Sequence, residues 1–84
     1  MKLIWSDKSW EEYVGWQSTD KKVLKKINSL IKDIKRDPFI GIGKPEPLKY
    51  ELAGCWSRRI TDEHRLVYIV EEDSISIVSC RYHY

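Results

Sequence analysis

Cysteine is scarce in this chain: Cys55 and Cys80 are the only two among 84 residues. Two thiols make neither a disulfide scaffold nor a zinc site. The plain expectation is a pair of buried thiols in a reducing compartment. Histidine is equally rare, with His64 and His83 alone. No grouping of Asp, Glu and His resembles a metal site, so no cofactor is expected. No apolar run approaches the length that spans a bilayer. The opening Met1-Lys2-Leu3-Ile4-Trp5-Ser6 turns polar too soon for a secretory signal. A cytoplasmic protein with no membrane partner is therefore expected. Phosphate-gripping glycine loops and nucleophile elbows are missing too. So is a large excess of one charge, since the formal net charge is only +2.

Aromatic residues are plentiful instead. Four Trp and five Tyr are many for this length, and most must serve a core. A few could offer stacking surfaces to nucleobases. With 42% hydrophobic and 33% charged residues, the composition fits a folded domain and not a disordered one. The length suits one domain, 1–84, with a thin core, because a chain this short buries only about two-thirds of its unfolded surface.

Lys2-Leu3-Ile4-Trp5 reads as a short strand. Ser9 and Glu12 have the spacing of a capping box, and Ser6 is a rival cap. Trp10, Tyr13, Val14 and Gln17 then follow helical spacing, which predicts a helix over 7–17. Asp20 caps a second helix. Its apolar stripe is Val23, Ile27, Leu30, Ile31 and Ile34. Lysines and one arginine, from Lys21 to Arg36, occupy most of the remaining surface. That face is either a phosphate track or a solvated outer surface. Pro38 disfavours helix at Asp37 and ends it. The two helices should form a hairpin.

Gly41, Gly43, Pro45 and Pro47 punctuate an irregular stretch from Phe39 to Lys49. Leu48 to Gly54 is ambiguous and could begin as a strand. Cys55–Thr61, Arg65–Val70 and Ile75–Tyr82 read as strands, with acidic turns between them. The expected fold class is α+β, in the order β-α-α-β-β-β. Consecutive strands should pair antiparallel, with both helices on one face of a small sheet. The other face would be partly open. The last strand should run to the end of the chain. It would set Ile75, Ile77, Ser79, Arg81 and His83 on one face, and Ser76, Val78, Cys80, Tyr82 and Tyr84 on the other.

Three groups could do chemistry. Glu46 stands between Pro45 and Pro47, on a segment that both rings stiffen. A carboxylate held that way suits a general base; a merely stiff exposed loop is the bland alternative. Arg58, Arg59 and Arg65 lie near a hairpin turn. A three-residue loop would set Arg59 across from Arg65, and a four-residue loop would favour Arg58. Side-by-side arginines make sense as a clamp on phosphate oxygens. Otherwise they pair with Asp62, Glu63, Glu71 or Glu72. His83 can carry a proton near neutral pH. A carboxylate, a guanidinium and an imidazole are the parts needed to cleave RNA without a metal.

End to end, the chain resembles the YoeB toxins of bacterial toxin–antitoxin pairs, within the RelE/ParE superfamily. The resemblance runs through Met1-Lys2-Leu3-Ile4-Trp5-Ser6, Gly43-Lys44-Pro45-Glu46-Pro47-Leu48 and Trp56-Ser57-Arg58-Arg59-Ile60-Thr61. It continues in His64-Arg65-Leu66-Val67-Tyr68 and Cys80-Arg81-Tyr82-His83-Tyr84. It implies an endonuclease that cuts mRNA in the ribosomal A site. The family's base falls on Glu46, its phosphate-stabilising arginine on Arg65 and its acid on His83. Lys49, Arg59 and Tyr84 fall on assisting positions. The implied partners are the ribosome with its mRNA, a YefM-type antitoxin, a second copy in a homodimer, and operator DNA together with the antitoxin. Relatives of the same fold that poison DNA gyrase, without such an acid–base set, are the alternative. A bare RNA-binding module is another.

Overall fold

The computed structural model describes residues 1–82. The chain runs β1 (Lys2–Trp5), α1 (Asp7–Thr19), α2 (Lys21–Arg36), β2 (Glu46–Pro47), a 3-10 turn (Tyr50–Leu52), β3 (Trp56–Arg59), β4 (Arg65–Val70) and β5 (Ser74–Ser79). One five-stranded sheet has the order β1-β5-β4-β3-β2.

The α+β class agrees with the sequence expectation, but β-α-α-β-β-β gains one strand, the two-residue β2 inside the stretch read as irregular, and the sheet is mixed. Strand β1 pairs with β5 in parallel, Leu3 facing Ile75 and Trp5 facing Ile77. The other three pairings are antiparallel. Two helical passes separate β1 from β2, so β1 points the same way as β3 and β5. The first strand therefore reaches the last one in parallel, which a purely antiparallel sheet does not allow.

Helix α2 follows its sequence pattern. Val23, Ile27, Leu30 and Ile34 are buried, and Ile31 is half-buried. The Asp20 carboxylate caps the N-terminus by accepting from the Lys22 and Val23 amides at 3.0 and 3.2 Å. Helix α1 departs from it. Its cap is Ser6, boxed with Ser9 and not led by Ser9. Its buried residues are Ser9 and Trp16, while Trp10 and Val14 lie exposed. A stripe read from Trp10 missed the buried face, because Trp10 and Val14 are apolar yet have no layer above them.

Leu66 and Tyr68 of β4 and Ile75 and Ile77 of β5 meet both helices in the main core, together with Ile60 and Cys80. The opposite sheet face carries Val67, with Leu48, Cys55 and the half-buried Leu52, Ile69 and Val78. The segment after β2 thus folds over part of the face that the helices leave uncovered.

The last strand is shorter than expected. It ends at Ser79, and a bulge interrupts it: Tyr68 faces Ile77 while Val67 faces Ser79. Val78 is the additional residue, so strict alternation fails there. Cys80 consequently joins the helix-side core with Ile75 and Ile77. The expected division of faces beyond Ile77 is therefore wrong.

Candidate active site

Glu46 enters the sheet on β2, directly opposite Ser57 of β3. Ser57 in turn faces Val67 of β4. Cross-strand partners share a face, so Glu46 stands on the sheet side away from the helices. Arg59 and Arg65 face one another on that same side, one pleat repeat beyond Ser57 and Val67. Two residues of strand separate the rows by about 7 Å. The pairing is the one a three-residue loop predicts, which decides between Arg58 and Arg59.

The approach to Glu46 is held from behind. The Arg59 amide donates to the Gly43 carbonyl at 2.6 Å. Gly43 has φ +80°, and a Cβ there would come within 2.7 Å of Leu30 Cδ2. Glycine is needed at this place for its backbone and for the close approach of α2. Beyond Glu46, the Leu48 amide donates to Cys55 and the Cys55 amide to Leu52, both at 2.9 Å, closing the turn back into β3. Lys49 is exposed in this turn. With Glu46, Pro47, Leu48 and Tyr50 it lines a shallow hollow of about 300 Å³.

Arg65 is oriented by the loop before it. Its Nη1 donates to the carbonyls of Thr61, Asp62 and His64 at 2.5, 3.2 and 3.1 Å. All these contacts fall on one nitrogen of a fork that carries five N–H donors. Arg59 lies 3.7 Å from Asp62, both side chains well exposed. Such a pair holds loosely.

Arg58 has the opposite fate. It is fully buried on the helix side. Its guanidinium meets Asp33 at 2.5 Å and the carbonyls of Asp37 and Ile42 at 2.7 and 3.1 Å. Its Nε donates to the Tyr68 hydroxyl, which donates to the Pro38 carbonyl. The expectation that Arg58 pairs with a hairpin acid is therefore corrected: its carboxylate comes from α2. Arg58, the Ile42 amide and Arg36 together hold the Asp33 carboxyl down to about 2. Burial raises the Tyr68 phenol above its usual value, which keeps it a neutral donor.

The segment after β5 is pinned by α1. The Cys80 amide donates to Glu12 Oε1 at 2.8 Å, and its carbonyl accepts from Trp16 Nε1 at 3.0 Å. Burial, with Glu12 nearby, pushes the Cys80 thiol up to about 12, so it stays protonated and inert. The Tyr82 amide then donates to His64 Nδ1 at 2.8 Å, and its carbonyl accepts from the Arg65 amide at 3.1 Å. His83 and Tyr84 lie outside the described residues. The sequence offers Glu12 only as a capping residue and gives Trp16 and His64 no such role, because no local motif links them to a segment far along the chain.

Lys21, Lys22, Lys25, Lys32, Lys35 and Arg36 are exposed on α2. Among the described residues, no group of three or more His, Cys, Asp or Glu could hold a metal ion, and no helix is long and apolar enough to cross a membrane.

This sheet, with two helices on one face and Glu46, Arg59 and Arg65 on the other, has the fold of the small RelE/ParE-like toxins. The chain matches the family model of the YoeB-like toxin of bacterial type II toxin–antitoxin systems over residues 5–84 and belongs to that family. It is 67% identical to toxin YoeB of Escherichia coli (strain K12), covering the whole of both chains. The structure of a YoeB/ParE toxin from Agrobacterium tumefaciens superposes with a TM-score of 0.97 at 53% identity, over 100% of both chains. A YoeB dimer from Staphylococcus aureus is similar with a TM-score of 0.93 at 50% identity, over 100% of this chain and 98% of that one. A YoeB–YefM complex from the same organism has a TM-score of 0.92 at 49% identity, with the same coverage.

Proposed function

We propose that this protein is a ribosome-dependent endoribonuclease that cuts mRNA in the A site and so stops translation. Glu46 takes the proton of a ribose 2′-hydroxyl. The freed oxygen attacks the adjacent phosphorus as the bond to the 5′-oxygen breaks. Arg65 neutralises charge growing on the phosphoryl oxygens. His83 gives its proton to the departing 5′-oxygen. The products are a 2′,3′-cyclic phosphate and a 5′-hydroxyl, and both proton transfers come from side chains with no metal step. Lys49 and Arg59 add positive charge, and Tyr84 offers a ring to stack on a base.

The observation that carries this reading is the company Glu46 keeps. The proline-flanked acid shares a sheet face with Arg59 and Arg65. The residue before His83 is bonded through its backbone to Arg65. The exposed cations of α2 suit phosphate contacts that carry no sequence information.

The partners follow from the family. A YefM-type antitoxin would silence the toxin, as the staphylococcal complex suggests. A homodimer is consistent with the staphylococcal dimer. Operator DNA would be bound only together with the antitoxin. The chain acts as one toxin domain, 1–84, in the cytoplasm, where its substrate is.

The test is primer extension on mRNA from cells expressing the wild type, Glu46→Gln or His83→Gln. Discrete cuts within translated codons are expected for the wild type. Each variant should fold normally and cut about 10²- to 10⁴-fold more slowly, the usual worth of a positioned acid or base. Cleavage at the wild-type rate by either variant overturns the assignment of that residue. Lost DNA supercoiling with intact mRNA would favour the gyrase-directed relatives instead.

A further inference from the structure

Tyr82 is the last described residue before His83, and its backbone is held at both ends. Arg65 takes its carbonyl through a main-chain amide, and His64 takes its N–H through a side chain, at 3.1 and 2.8 Å. Tyr82 sits at φ +63°. A large aromatic residue keeps a left-handed backbone only where its surroundings over-determine it. Among the described residues, His64 is the one side chain in that clasp.

The chemistry of the clasp specifies which ring nitrogen accepts. An Nδ1 that accepts from an amide N–H carries no proton of its own. The ring proton is then on Nε2, which lies 3.2 Å from Glu63 Oε1. The ring stands edge-on to Trp16 at 4.8 Å between centroids and tilts against Tyr82 at 5.5 Å. Its side chain is only 10% exposed. Trp16 itself donates to the Cys80 carbonyl two residues earlier. His64 is thus a seated acceptor aimed at one particular peptide.

We propose that His64 is a positioning residue for the cleavage reaction: its Nδ1 fixes the Tyr82 peptide from which His83 follows. This rests on the nuclease reading above. His64 does not touch the substrate in this role. It sets the direction in which the chain leaves the sheet, and a general acid displaced by about 1 Å can lose about 10²-fold in rate.

Three variants separate this from simple packing. His64→Asn keeps an amide oxygen near the place of Nδ1. His64→Gln carries its amide at the Nε2 end, and His64→Leu carries no acceptor. Each is assayed for single-turnover mRNA cleavage on isolated ribosomes and for hydrogen exchange at the Tyr82 amide. The Asn variant should cleave within about 3-fold of wild type, with the Tyr82 amide still protected. The Gln and Leu variants should lose about 10²-fold in the cleavage step, with apparent affinity for ribosomes unchanged and the Tyr82 amide exchanging at least about 10-fold faster. Equal losses for Asn and Leu, or full activity in a folded Leu or Gln variant, overturn the proposal. A wild type that leaves mRNA intact on ribosomes removes the nuclease reading itself, and this role with it.

Discussion

Arg58 and Arg59 are neighbours in β3 and lie on opposite sides of the sheet. Arg58 is fully buried among Asp33, Tyr68 and the carbonyls of the loop after α2. Arg59 is 44% exposed and pairs with the exposed Asp62 at 3.7 Å. One pleat of backbone converts the same side chain from a structural clamp into a surface charge. The helix side of the sheet uses its guanidinium to hold the loop that leads toward Glu46. The other side presents its guanidinium at the surface. Charge on the first face answers to folding, and charge on the second is the charge proposed above to meet the substrate.

The sharpest test of that contrast is Arg58→Ala. Removing one partner of a buried, hydrogen-bonded pair costs about 3–5 kcal/mol, a large share of the roughly 5–15 kcal/mol that holds a domain together. Urea denaturation should show that loss. A loss below about 1 kcal/mol would erase the distinction between the two faces.

A smaller effect is expected in acid. The Asp33 carboxyl is held down to about 2 from an ordinary 3.8, chiefly by Arg58, then by the Ile42 amide and Arg36. A group depressed in the fold stabilises fully above its unfolded value, and that contribution is lost as pH falls through its folded value. Stability owed to Asp33 should therefore drain away between about pH 4 and pH 2. Denaturation midpoints measured across that window should fall less steeply for Asp33→Asn than for wild type. Parallel curves would mean that the Arg58 network does not respond to this carboxylate.

The smallest effect belongs to the exposed face. Asp62→Ala removes the partner of Arg59 and should shift stability by less than about 1 kcal/mol, the ordinary worth of an exposed ion pair. A thermal melt would measure it. A shift as large as that of Arg58→Ala would show that the outer pair is structural after all.

Much of this was legible along the chain. The α2 stripe, its Asp20 cap and its stop before Pro38 all follow from contacts within a few residues. Strand β4 was readable from end to end, since Leu66–Val67–Tyr68–Ile69 is apolar on both faces and both faces are covered. The extended setting of Glu46 was readable from its two prolines. Other features were not. Trp10 and Val14 look like the core face of α1, yet Ser9 and Trp16 are the buried ones. Glu12 looks like a capping residue, yet its carboxylate accepts from Cys80. The final strand looks continuous, yet a bulge and the bonds of Cys80 and Tyr82 end it.

The sequence by itself determined the elements, their order and the residue types a site could use, because turn chemistry, capping and hydrophobic period act over a few residues. Only the tertiary structure decided which arginine is buried, that β1 joins β5 in parallel, and that His64 and Glu12 hold the segment after β5. Those outcomes depend on which distant groups the sheet and helices bring within 3 Å of one another. Hydrogen bonds of that range leave no periodic trace in a chain.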